Sequence, residues 1–144
     1  KKIVFGNSRG ATFAFLITEA APEFFDGCAP TATGYVPEDA SLDAFDANDV
    51  HLFFAIAKHD ELCDFYGDVE PRIPRLQAMK HAFLYFPKWT QNGDKGIASI
   101  NFGVEMGQHC LVNSVHANLM FDDGTPMEES LPEGVIGWIK QVIG

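Results

Sequence analysis

The chain has 144 residues, of which 47% are hydrophobic and 21% charged, as in an ordinary soluble globular protein. We expect residues 1–144 to form a single domain or part of one. The net charge of −10 disfavours nucleic acids and anionic membranes as partners. No apolar run approaches the roughly 18 residues that a membrane helix needs. The cysteines lack the spacing of a metal site, so no metal is predicted.

The beginning of the chain predicts two strands separated by a helix. Residues 1–5 predict a strand, and a turn begins at Ser8. Residues 11–25 predict a helix that kinks or restarts at Pro22, because proline has no N–H to donate and its ring clashes with the preceding turn. Residues 27–30 predict a short buried strand.

The chain beyond residue 34 predicts further strands and helices. Residues 50–57 are apolar almost throughout, which predicts a parallel strand buried on both faces. The other predicted elements are a surface connection with one helical turn, a short helix, a strand, a second strand that returns as a hairpin, and a closing helix, at residues 35–49, 73–80, 81–86, 97–104 and 134–143.

The turn between the first strand and the first helix has the pattern G-x-S-x-G, at Gly6 to Gly10. A serine on so sharp a turn needs small neighbours, because the backbone is crowded there. The turn lifts the hydroxyl above the sheet edge, and the helix N-terminus favours developing negative charge. The pattern therefore predicts that Ser8 is a nucleophile; the alternative is a small residue in a tight turn.

This strand, turn and helix resemble the nucleophile elbow of the α/β-hydrolase superfamily. The run P-E-F-F-D-G-C-A-P at residues 22–30 looks like the phrase that follows the nucleophile in many of its members. The resemblance implies an α/β fold with a mostly parallel sheet and flanking helices, of which residues 1–144 are the C-terminal half. It also implies a serine hydrolase that cleaves a carboxylic ester through an acyl-enzyme, without a metal or organic cofactor, and a triad in the chain order Ser, Asp, His.

An acid that follows a strand resembles the second triad position of the superfamily. The apolar run at residues 50–57 leads into Asp60, which stands closest to the strand end and is the predicted acid. Glu61, Asp64 and Asp68 are nearby alternatives, and a solvated loop acid without a catalytic role is a further one.

The predicted base is His109, because a glycine-preceded histidine resembles the one that follows the final strand of the superfamily. His116, which lacks the glycine, is the alternative base. His51 and His81 open predicted strands at the opposite end of the sheet and are interpreted as structural. His59 precedes the acid and does not fit the chain order.

The resemblance also bears on the oxyanion hole and the cysteines. The amide of Arg9, directly after the nucleophile, is the implied oxyanion donor. His109 followed by Cys110 is similar to the tannase and feruloyl esterase group, although Asn7 stands where that group has a second cysteine. Cys63 could instead pair with Cys110, but reduced cysteines are the default.

The superfamily's other oxyanion donor comes from a segment upstream of the elbow. We therefore expect an N-terminal half or a second chain to complete the sheet, since an exposed first strand would leave unpaired backbone groups. A small-molecule ester is the expected substrate. The alternatives are a serine peptidase of the prolyl-oligopeptidase kind and a non-catalytic, hydrolase-like binding protein.

Overall fold

Four strands in the described part of the chain form one parallel sheet. The computed structural model describes residues 1–87, 109 and 134–144. Each strand is hydrogen-bonded in parallel to the next one along the chain, which gives the strand order β1-β2-β3-β4. The prediction of an α/β fold with a parallel sheet is confirmed. The strands are β1 (Ile3–Asn7), β2 (Gly27–Thr31), β3 (His51–Ala55) and β4 (Ala82–Tyr85).

Helices connect and flank the strands, as parallel pairing requires, because each strand must return to the same end of the sheet. A 3-10 turn at Pro22–Phe24 follows α1, in agreement with the predicted restart at Pro22. The α-helices are α1 (Arg9–Ala20), α2 (Asp39–Ala47), α3 (Ile73–Gln77) and α4 (Gly134–Ile143). A π-helical turn at Phe65–Val69 and a 3-10 turn at Glu70–Arg72 precede α3.

The helix α2 corrects the prediction of a surface connection with one helical turn at residues 35–49. It has nine residues, and only Leu42 and Phe45 are buried. These two lie three positions apart on one face, which is enough to dock a helix whose other faces are acidic. Two arginines near α3 bind that acidic surface: Arg72 contacts Asp39 at 2.7 Å and Arg75 contacts Asp43 at 2.6 Å.

Apolar side chains of β3 supply the core on both faces of the sheet, as predicted for a buried parallel strand. Phe53 packs on the face covered by α4, with its ring 5.6 Å from that of Trp138. Phe54 points to the other face, where its ring lies 5.5 Å from that of Phe15 on α1. The sheet is therefore fixed from both sides, and the loops at the carboxyl ends of its strands are held on a rigid support.

None of the described helices is long and apolar enough to cross a membrane. Within the described ranges β1 pairs only with β2, and completion of the sheet by another segment or chain stays a prediction. The predicted strand at 97–104, Cys110 and His116 lie outside the described residues.

Candidate functional site

Ser8 occupies a strained turn at the carboxyl end of β1. Its backbone angles are φ 57° and ψ −119°, a conformation that residues other than glycine rarely adopt. The turn is held by the Ser8 amide, which donates to the carbonyl of Thr31 at 2.9 Å, and by the Ser8 carbonyl, which accepts from Ala11 and Thr12 in the first turn of α1. The Ser8 side chain makes no capping hydrogen bond to the helix, so its hydroxyl is left for other partners.

The two glycines of the pattern have different reasons to be glycine. A Cβ atom on Gly6 would overlap the carbonyl group of Gly10 and lie 2.8 Å from the amide nitrogen of Ala11. A Cβ atom on Gly10 would meet nothing within 4 Å among the described residues. The expectation that both neighbours must be small is therefore confirmed for Gly6, whereas the contacts do not require it of Gly10.

This difference predicts opposite effects of the same substitution at two positions. We expect Gly6→Ala to lower the free energy of unfolding by about 3 kcal/mol, because backbone atoms must move apart. Gly10→Ala, in the first turn of α1, should raise it by up to about 1 kcal/mol, since alanine favours a helix more than glycine does. Urea unfolding of both variants provides the measurement, and equal losses of stability would contradict the steric explanation.

The residues on either side of Ser8 lie at the ends of the adjoining elements, Asn7 on β1 and Arg9 on α1. Arg9 is the first residue of α1, so its N–H group has no acceptor within the helix. Asn7 ends β1, and its side-chain oxygen accepts a hydrogen bond from the Thr31 hydroxyl at 3.0 Å. The role of the Arg9 amide in an oxyanion hole stays a prediction.

Asp60 lies in a tight turn that follows β3. Its backbone amide donates to the carbonyl of Ala57 at 3.1 Å. Its carboxylate oxygen Oδ1 accepts from the amides of Leu62 at 2.8 Å and Cys63 at 2.9 Å. The Asp60 side chain is 0% exposed, so it is not the solvated loop acid that was the alternative.

The other acids of this loop have different surroundings. Asp64 accepts from the amide of Gly67 at 2.9 Å and caps the π-helical turn, and Asp68 is exposed. Glu61 accepts a hydrogen bond from the backbone amide of His109 at 2.9 Å. Of these acids, Asp60 is the one whose carboxylate contacts the His109 ring.

His109 is hydrogen-bonded to Asp60, 49 residues away in sequence. Its ring nitrogen Nδ1 lies 2.9 Å from Oδ1 and 2.8 Å from Oδ2 of Asp60. The side chain is 3% exposed. The hydrogen bond to Asp60, followed by one to Cys63, raises the pKa of His109 to about 9, although burial acts in the opposite direction. The structure thus brings together the predicted acid and the predicted base; their catalytic roles stay predictions.

The histidines that we interpreted as structural lie at the other end of the sheet. His51 is the first residue of β3 and His81 directly precedes β4. Their rings stack at 4.3 Å. His59 stands directly before Asp60, and its ring lies 6.1 Å from that of Tyr66.

Cys63 was offered by the sequence as a partner for Cys110, and the structure places its side chain beside Asp60 and His109. It is a free thiol, in agreement with the default of reduced cysteines, and its sulfur lies 3.6 Å from the carbonyl oxygen of Ala32. The Asp60 turn brings it close, and the signal in the sequence was the spacing D-x-x-C at the end of a buried strand. Cys63 also lines an open cavity of about 660 Å³, together with Gly34, Tyr35, Val36, Leu62, Asp64 and Asp68.

Comparison with known proteins does not assign this chain to a family: no family model matches it, and no curated protein or solved structure does so either. Any functional assignment therefore depends on the side chains of the site itself.

Proposed function

We propose that this protein is a serine hydrolase that cleaves a carboxylic ester, with Ser8 as the nucleophile, His109 as the general base and Asp60 as the carboxylate that orients His109. The observation that carries this proposal is the buried hydrogen bond between Asp60 and Nδ1 of His109. A buried carboxylate on one imidazole nitrogen leaves the other nitrogen as a base, which is the relation found in serine hydrolase triads.

The proposed reaction uses each group for one task. Nε2 of His109 takes the proton from the Ser8 hydroxyl while the serine oxygen attacks the acyl carbon. The imidazolium then gives this proton to the leaving alcohol, and a water molecule repeats the sequence on the acyl-enzyme to release the acid. Asp60 accepts a hydrogen bond from the Nδ1–H group throughout, so that the ring presents the lone pair of Nε2 to Ser8. The amide of Arg9 would stabilise the oxyanion.

The strain at Ser8 supports the nucleophilic role. A non-glycine residue at φ 57° has a conformational cost on the order of 1–3 kcal/mol, and such costs cluster at functional sites. The same conformation is the property of a nucleophile elbow, in which a sharp strand-to-helix turn exposes the serine hydroxyl. The hydroxyl of Ser8 is not used to cap α1, which is the structural task that a serine before a helix normally has.

The order of the elements supports an α/β-hydrolase type of enzyme. Ser8 follows β1 and Asp60 follows β3, while His109 comes after β4 in the chain. The strands lie in the sheet in chain order, and ligands of open parallel sheets bind beyond the carboxyl ends of the strands. The chain order serine, acid, histidine is the one that this superfamily uses. A further segment or chain beside β1 is part of the proposal, because the edge of β1 is unpaired among the described residues.

A fluorophosphonate probe tests the nucleophile, because it reacts with an activated serine and not with an ordinary hydroxyl. We expect one label per chain, located at Ser8 by mass spectrometry of the digested protein. Ser8→Ala should abolish the labelling, whereas the control Ser41→Ala, a substitution on α2, should keep it. Labelling of a different serine would contradict the assignment, and no labelling at all would favour the non-catalytic binding protein.

A matched pair of chromogenic substrates separates the two enzymatic alternatives. We expect a p-nitrophenyl ester to be cleaved with a higher kcat/KM than the p-nitroanilide with the same acyl group. Faster cleavage of peptide anilides would instead identify a serine peptidase with the same catalytic groups.

A further inference from the structure

Three side chains of different chemistry converge at the candidate site: the carboxylate of Asp60, the thiol of Cys63 and the imidazole of His109. Their ligating oxygen, sulfur and nitrogen atoms all lie within 4.8 Å of one another. Carboxylate oxygen, thiolate sulfur and imidazole nitrogen are the ligand types that zinc takes in proteins. Asp60 and His109 were predicted as the acid and the base of a triad, but a metal site was not predicted, because the cysteines lack the spacing of one. The fold thus brings together three zinc ligand types whose spacing in the sequence matches no conventional zinc motif.

The turn that follows β3 fixes the positions of two of these ligands. Because Asp60 Oδ1 accepts from the Leu62 and Cys63 amides, the carboxylate and the thiol belong to one tight turn. The His109 amide is anchored on the same turn by Glu61, at 2.9 Å. The ligands are therefore preorganised by hydrogen bonds that a bound ion would leave in place.

The distances suit a tetrahedral ion. Bonds of about 2.0–2.3 Å place neighbouring ligand atoms on zinc roughly 3.3–3.8 Å apart. The observed separations range from 2.8 Å, between Nδ1 of His109 and Oδ2 of Asp60, up to the limit of 4.8 Å. Atomic displacements of about 1 Å or less would bring all three atoms to the required spacing. A water molecule or a substrate oxygen would complete the fourth position.

The open cavity supplies a route for a cation. Cys63 lines it, and so do the carboxylates of Asp64 and Asp68. A cleft with negative charge along its wall raises the local concentration of cations. A cation attracted into this cavity therefore meets Cys63, which is one of the three proposed ligands.

We propose that Asp60, Cys63 and His109 form an inhibitory zinc site, in which the ion takes the place of the proton between Asp60 and Nδ1 of His109. From the neutral imidazole that serves as the base, the Nδ1 hydrogen moves to Nε2 by exchange with solvent, and the proton released on binding is that of the Cys63 thiol. A neutral imidazole with a metal on Nδ1 carries its hydrogen on Nε2. Nε2 then has no lone pair to take the proton of Ser8. The zinc site follows from the side-chain geometry, whereas the inhibition rests on the proposed function.

Titration of the metal-free protein with Co²⁺ tests the site without any assay of activity. A bond between Co²⁺ and a thiolate absorbs in the near ultraviolet, and we expect this absorption to saturate at one Co²⁺ per chain and to disappear when Zn²⁺ is added. Cys63→Ser should remove the absorption and weaken Zn²⁺ binding by more than about 100-fold, since loss of even an outer-shell partner weakens metal sites by up to that factor.

Cys28→Ala is the matched control for Cys63→Ser. Cys28 is fully buried on β2, and burial raises the pKa of its thiol to about 12, so it does not offer a thiolate. Cys110 is retained in both variants, so a difference between them reports on Cys63. An absorption that is missing from the wild type, or that persists in Cys63→Ser, would overturn the zinc site.

The inhibition is measured on the ester substrate, with each rate in Zn²⁺ divided by the rate of the same variant in EDTA. We expect this ratio to fall in the wild type along the same curve as the displacement of Co²⁺, and to stay near one for Cys63→Ser at those concentrations. An unchanged or increased rate at Zn²⁺ saturation would overturn the inhibition. A wild type without hydrolysis in EDTA would overturn both the inhibition and the proposed function, while the Co²⁺ titration would still decide the metal site.

Discussion

We expect Ser8→Ala to lower kcat for ester hydrolysis by about 10⁶-fold, the scale on which removal of the nucleophilic serine acts in serine hydrolases. The side chain lost is a single hydroxyl that makes no capping hydrogen bond in the structure, so the fold should persist. The loss should therefore appear in kcat and not in the circular dichroism spectrum. Ser41→Ala, which removes a hydroxyl from α2, serves as the control and should keep the wild-type kcat.

Ser8→Gly separates the chemistry of the hydroxyl from the strain of the backbone. Glycine adopts φ 57° readily, so the substitution relieves a conformational cost of about 1–3 kcal/mol in the folded state. Part of this gain is offset, by about 0.5–1 kcal/mol, because glycine loses more backbone entropy on folding. We expect Ser8→Gly to be as inactive as Ser8→Ala and about 1 kcal/mol more stable in urea unfolding. Equal stability of the two variants would mean that the turn stores no strain, and a Ser8→Gly protein with substantial activity would exclude Ser8 as the nucleophile.

The turn at Ser8 could be predicted from the sequence because its determinants are local. Gly6 is required by contacts with residues four and five positions later, and an apolar strand and a helix lie directly on either side. The same locality explains why the ends of α4 and the restart at Pro22 were predicted correctly. Where the conformation depends on a few adjacent residues, the pattern of residue types carries most of the information.

The helix α2, of which only one turn was predicted, depends on residues that are distant in sequence. Its sequence is dominated by acids, and the apolar signal consists of two residues, Leu42 and Phe45. The helix docks because those two residues enter a core formed by distant strands, and because arginines near α3 bind its acids. Both causes act through the tertiary structure, so the propensities of residues 35–49 did not reveal them.

The candidate site depends both on local sequence features and on contacts made by the folded chain. Asp60 was predicted because an acid at a strand end is a local feature, and His109 because of its glycine context. The positions of Cys63 and Glu61 around His109 follow from the hydrogen bonds of the Asp60 turn, which residue types alone do not specify. The sequence thus predicted the two members of the pair, whereas its metal-binding potential emerged from the folded turn.

We expect Asp60→Asn to lower kcat by about 10⁴-fold, as in triads whose aspartate is replaced in this way. The reason lies in the surroundings of the carboxylate. The amides of Leu62 and Cys63 both donate to Oδ1, so the carbonyl oxygen of an asparagine would take that position. Its NH₂ group would then face Nδ1 of His109 from the place of Oδ2, at 2.8 Å, and would donate to it. The ring hydrogen would move to Nε2, and the base would be lost although the pair remains packed.

The pH dependence distinguishes this explanation from simple disruption of the site. In EDTA, kcat/KM of the wild type should rise with pH to a midpoint near 9, because His109 acts as a base only after it loses its proton. The free energy of unfolding should fall between pH 6.5 and about 9: the raised pKa of His109 stabilises the folded state fully below 6.5, and this contribution is lost as pH rises through the folded value. Asp60→Asn should move the midpoint of kcat/KM toward 6.5 and flatten the stability change over the same window.

His116→Ala should keep both wild-type profiles. If it abolishes activity while His109→Ala does not, the base is His116, and the buried pair has a structural role.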